Sequence, residues 1–92
     1  MPVVSSQNNG FVDAITGMFC REQSEIPSDL NDVFSGFGRA DHRTNAPAEY
    51  GIVVSFFTQK KGNHIAAQLY FSSENKKYSR MYWDLWRPWM EF

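Results

Sequence analysis

From residue 50 onward, apolar positions alternate along the chain. Ile52, Val54 and Phe56 fall on one side of an extended segment, and Val53, Ser55 and Phe57 on the other. A period of two predicts a strand over residues 51–58. Apolar residues on both sides predict that its middle is buried on both faces. Gly62-Asn63 predicts a hairpin loop over residues 59–63. Residues 64–71 alternate again, with Ile65, Ala67, Leu69 and Phe71 against His64, Ala66, Gln68 and Tyr70. A polar turn over residues 72–76 leads to a third strand over residues 77–83. Tyr78, Arg80 and Tyr82 share one side of it, and Ser79, Met81 and Trp83 the other. Three such strands in succession make an antiparallel meander. Residues 85–92 return across it, and Pro88 confines them to an edge or an irregular stretch.

The upstream half reads less clearly. Residues 1–9 are polar and read as a flexible lead-in. Residues 11–23 carry Phe11, Ile15, Met18 and Phe19 at helical spacing, with Asn9 as an N-cap, but Gly17 weakens a helix and a strand ending near Phe19 is the rival. Pro27 marks a turn or linker. Ser35-Gly36-Phe37-Gly38-Arg39 is a short strand, and residues 41–48 form the longest loop. The expected fold is mainly β: a small antiparallel sheet domain, a meander closed by an aromatic C-terminus, with a short N-terminal helix as one open reading. Residues 28–92 form this domain. Residues 1–27 are a lead-in, a helix or the remnant of a preceding module.

Composition narrows the function classes. A chain of 92 residues with a net charge of −1 does not work by neutralising phosphates, so nucleic acid is not an expected partner. No apolar run approaches the roughly 20 residues of a membrane helix, so no membrane insertion is expected. Residues 1–10 lack the basic start and apolar stretch of a secretory signal, which predicts synthesis in the cytoplasm. Cys20 has no second cysteine to pair with, and it reads as a small buried hydrophobe rather than a nucleophile.

The order of short motifs carries more. Asp29-Leu30-Asn31-Asp32-Val33 is followed by Gly36-Phe37-Gly38-Arg39, by Thr44-Asn45-Ala46-Pro47 and by Tyr50-Gly51-Ile52-Val53-Val54. Then come Gln68-Leu69-Tyr70, Lys77-Tyr78-Ser79-Arg80 and Trp86-Arg87-Pro88-Trp89. In order and spacing these resemble the knob domain of phage tail fibres and of the phage-tail-like R-type pyocins. The resemblance covers residues 28–92. It departs from the family at Gly38, which precedes Arg39 where family members have a hydrophobic residue, and residues 1–27 have no counterpart. It implies a structural and recognition part of a virion tail fibre or tailocin fibre. The chain would be made in the host cytoplasm and assembled as a homotrimer with other fibre chains. Its partner would be a bacterial surface polysaccharide or surface protein. A small phage-encoded protein that binds and inhibits a host protein is the alternative.

The candidate binding residues are Tyr78, Arg80, Trp83 and Trp89. Indoles stack on the apolar faces of sugars, and an arginine beside aromatic rings suits an acidic sugar. The competing reading makes these residues structural. Trp83 and Trp86 would then cover the open face of the sheet, and Arg80 would pair with Asp29 or Asp32. Trp89, after Pro88, is expected to be the more exposed ring. His42 and His64 lack metal-ligand spacing, so no metal and no cofactor is expected. Asp29 and Asp32 sit where aspartate serves local turn bonding. No nucleophile elbow or phosphate loop is present, so no enzyme and no catalytic residue is expected.

Overall fold

The structure is a computed structural model that describes residues 19–58 and 64–92. It is mainly β, with one 3-10 turn, Gln23–Glu25, among the described residues. The strands are β1 (Gly36–Arg39), β2 (Gly51–Phe57), β3 (Ala66–Ser72), β4 (Lys77–Trp83), β5 (Leu85–Trp86) and β6 (Met90–Glu91). They form one open antiparallel sheet in the order β1-β2-β3-β4-β5, and β6 pairs with β4 beyond β5. The meander is thus the one the alternation predicts. Residues 59–63, where a hairpin loop is expected, lie outside the described residues, as does most of the N-terminal segment read as helix or strand. Of that segment, Phe19 is helical and residues 20–22 are not. Cys20 makes a parallel bridge to Phe37, and the Arg21 backbone N–H donates to the Phe37 carbonyl at 2.7 Å.

Register explains which side becomes the core. Val53, Tyr70 and Tyr78 are cross-strand neighbours on β2, β3 and β4, and Ser55, Gln68 and Arg80 form the next row. All point to the side covered by residues 26–50 and by the C-terminal turns. Ile26, Leu30, Ala40, Val53 and Tyr70 are buried together, with Phe34, Ala46, Ala48, Tyr78 and Trp89 packed against them. The Tyr70 hydroxyl donates to the Ala40 carbonyl at 2.8 Å, with the Ala48 carbonyl at 3.3 Å. Burial and the nearby Asp41 charge push its pKa up to about 12, so it remains a donor at neutral pH.

The opposite face corrects the expectation of a strand buried on both sides. Ile52 and Phe56 of β2 are exposed while Val53 and Ser55 are buried. The apolar alternation is real, but among the described residues only one face of the sheet is covered. Cys20, expected to be buried, is also exposed.

Gly51 shows how tightly β2 sits on β3. A Cβ there meets the Phe71 carbonyl oxygen and lies 2.5 Å from a ring carbon of Tyr70. The missing side chain lets the Tyr70 ring cross β2 to reach the Ala40 carbonyl. Gly51→Ala is expected to cost about 1–3 kcal/mol or more through overpacking. Urea unfolding of the two forms measures it.

Candidate functional site

Arg80 is at the centre of the covered face. Its position on β4 sets it opposite Gln68 of β3, which in turn faces Ser55 of β2. A row of three polar residues in a buried layer must satisfy itself, and it does. Ser55 Oγ donates to the Phe34 carbonyl at 2.8 Å. Gln68 Nε2 donates to the Leu30 carbonyl at 2.8 Å and to Ser55 Oγ at 3.3 Å. Gln68 Oε1 accepts from Arg80 Nε at 2.9 Å. The Arg80 fork then reaches the loop before β1: Nη1 donates to Asn31 Oδ1 at 3.0 Å and Nη2 to the Leu30 carbonyl at 2.9 Å.

Both faces of the guanidinium carry an indole. Its central carbon lies 4.1 Å from the Trp86 ring centroid and 4.4 Å from that of Trp89. Each indole is itself pinned. Trp86 Nε1 donates to the Asn31 carbonyl at 2.9 Å, and Trp89 Nε1 to the Asn45 carbonyl at 2.7 Å. Asn45 has a left-handed backbone, φ 63°, which asparagine tolerates better than most residues. Its side-chain Nδ2 donates to Asp29 Oδ1 at 2.8 Å, and the same oxygen accepts the Asn31 backbone N–H at 2.9 Å. Asp29, Asn31, Asn45, Gln68, Arg80, Trp86 and Trp89 are therefore one connected assembly.

Among the described residues Arg80 makes no ion pair, which corrects the expected pairing with Asp29 or Asp32; Asn31, between them, supplies the contact. The cation is 6% exposed. Burial lowers its pKa to about 10, with the Asp29 charge opposing the shift. Arg80 stays ionised at neutral pH. Its charge is met by neutral oxygens and ring faces, and an arginine fork suits both.

The other candidates separate. Trp86 covers the sheet as expected. Trp89 is not the exposed ring: it is half-buried, and its edge meets Tyr70 with centroids 6.2 Å apart. Pro88 lets the chain turn between the two indoles so that both close on one arginine. Trp83 is on the opposite face and is 51% exposed. Tyr78 borders a different hollow with Pro47, Tyr50 and Glu74. Only Arg80 and Trp89 of the four candidates come together. His64 stacks parallel to Tyr82 at 5.1 Å, and His42 meets the edge of Tyr50 at 4.7 Å. Among the described residues no group of three or more His, Cys, Asp or Glu is placed to hold a metal, and no helix is long and apolar enough to cross a membrane.

Beside the Arg80 clamp is a cleft of about 430 Å³, lined by Asn31, Asn45, Ala46, Arg80, Arg87 and the two indoles, with Pro88 on its wall. No carboxylate lines it among the described residues. Arg87 is exposed there, so the cleft has one accessible cation and one buried beneath the rings. Sequence reasoning missed Arg87, Asn31, Asn45 and Gln68. The signal for Arg87 was its place between Trp86 and Trp89. For the others, only the motif order spoke.

Compared with family models, with curated proteins and with solved structures, the chain matches none of them.

Two outcomes test the clamp. Arg80→Met leaves the Leu30 carbonyl with one partner fewer, Gln68 Oε1 unpaired in the buried layer and Asn31 Oδ1 to water, and is expected to cost about 1–3 kcal/mol in chemical unfolding. The hydrogen bond from Asn45 and the Asn31 N–H hold the Asp29 carboxyl below its ordinary value of 3.8. A depressed folded pKa stabilises the fold above the ordinary value and loses that contribution as pH falls through the folded pKa. Stability is therefore expected to drop on acidification below about pH 4, and Asp29→Asn is expected to flatten that drop in melting curves taken against pH.

Proposed function

We propose that this domain is the knob module of a phage or tailocin tail fibre, a structural and host-surface-binding part that recognises an acidic cell-surface glycan in the cleft beside Arg80. One observation carries the reading. Residues from five of the motifs quoted for the knob resemblance, far apart in sequence, meet in one place: Asp29 and Asn31, Asn45, Gln68, Arg80, and the Trp86–Trp89 pair. A motif set that converges on a single clamp has a physical reason to recur together, because losing one member leaves the others unpaired.

The clamp also prepares the cleft. It fixes two indoles and an asparagine around a cation-rich, carboxylate-free hollow. An acidic pyranose offers an apolar face to stack on an indole ring, hydroxyls for Asn31 and Asn45, and a carboxylate for Arg87. Trp83 and Tyr78 fall outside this contact set. Affinity per copy is weak, and several copies on one fibre raise it by avidity. Binding of this kind needs no metal, cofactor or catalytic group.

A glycan array on the intact chain, followed by titration of any hit, tests the proposal. The expected result is binding to uronic- or sialic-acid-containing glycans that Arg87→Ala weakens by about 5- to 50-fold with the melting temperature unchanged, the loss of one charge-assisted contact. An array blank to acidic glycans, or hits that Arg87→Ala leaves intact, removes the glycan reading. It would favour the alternative of a protein that binds a host protein.

A further inference from the structure

The hollow bordered by Tyr78 adjoins the cleft beside Arg80. Ala46 lines the cleft and Pro47 lines the hollow, and successive Cα atoms are about 3.8 Å apart. Beneath them the rings repeat the join. Trp89 lines the cleft and meets Tyr70, and Tyr70 is the cross-strand neighbour of Tyr78, which lines the hollow. The two sites are therefore neighbours across the Ala46–Pro47 ridge.

The hollow has a volume of about 300 Å³ and a framed rim. The Ser73 backbone N–H donates to the Tyr50 carbonyl at 3.0 Å, which ties the loop before β2 to the β3–β4 turn. Within that turn the Glu74 backbone N–H donates to Ser72 Oγ at 3.1 Å. His42 packs on the Tyr50 ring, which remains 44% exposed. The chemistry of the hollow is opposite to that of the cleft. Glu49 and Glu74 line it, both exposed, and among the described residues no Lys or Arg does. Neither carboxylate is in an ion pair among the described residues.

We propose that the ligand spans both sites, with an acidic sugar in the cleft and a neutral or amino sugar in the hollow. This rests on the glycan reading of the cleft and narrows it to chains in which an acid adjoins a sugar without one. Sugar hydroxyls and ammonium groups are donors, and the carboxylates of Glu49 and Glu74 only accept. The exposed Tyr50 ring offers an apolar surface to the same sugar. A second uronic acid does not fit, because its carboxylate stands beside those of Glu49 and Glu74. Like charges brought together select against the wrong partner. Arg87 thus attracts the acid, and the two glutamates decide what may follow it along the chain.

An array of homouronate chains and of chains in which each uronic acid adjoins a neutral or amino sugar, probed at low salt with the intact protein, tests the inference. The mixed chains are expected to bind at least about fivefold more tightly, the size of one like-charge contact in water. Glu49→Gln combined with Glu74→Gln is expected to cut that ratio to below about twofold with the melting temperature unchanged, since it removes the repulsion and leaves the rings. Asp84→Asn removes an exposed carboxylate that lines neither site, and is expected to leave the ratio as it was. Equal binding of both kinds of chain, or a ratio that the double variant does not change, overturns the inference while Arg87-dependent binding keeps the cleft reading. A ratio that Asp84→Asn cuts equally overturns it as well, because net charge would then be the cause. A blank response to every acidic chain overturns both.

Discussion

A buried guanidinium that meets no carboxylate among the described residues governs this domain. Taking an ion out of water costs several kcal/mol, and an opposite charge is the usual compensation. Here the compensation is distributed. Three hydrogen bonds and two ring contacts meet the charge together, so the clamp works as a set. It penalises heavily any arrangement in which one member is missing. Its effect is on specificity: it couples the loop at residues 29–31, the middle of the sheet and the C-terminal turn.

That coupling suits a thin domain. One covered sheet face provides a small core, and a chain of this size has little hydrophobic burial to spare. The C-terminus, ordinarily the first part of a chain to fray, is instead held by two indole N–H bonds and by β6 pairing on β4. The same fixing gives the cleft rigid walls. Preorganised rings and donors lose less entropy on binding than mobile ones.

The strands are legible because alternation reports them directly; residues 77–83 match to their ends, and the turn read over 72–76 begins one residue later. The exposure of Ile52 and Phe56 was not legible. Alternation tells which residues share a side but not whether anything lies on that side. The clamp was half legible. Tyr78, Arg80 and Tyr82 were placed on one side by period two. The partner of Arg80 depends on the path of the loop before β1, which no periodicity records, so the nearby acids looked more plausible than Asn31 or Gln68. Trp89 was misplaced because a residue after a proline near a terminus is usually exposed. Here Pro88 turns the chain so that the second indole closes over the cation left open by the first. Only the ordered motifs, read as a resemblance to fibre knobs, linked these positions before any geometry did.

The clamp is tested most directly by proton NMR of the Arg80 side chain in the intact protein. A guanidinium between two indoles, with Nε bonded to Gln68, is expected to show a slowly exchanging Nε–H and δ-methylene protons displaced upfield by ring currents, together with protected indole N–H signals for Trp86 and Trp89. Arg80 resonances at solvent-exposed positions, exchanging as fast as those of the exposed Arg39 and Arg87, would contradict the account.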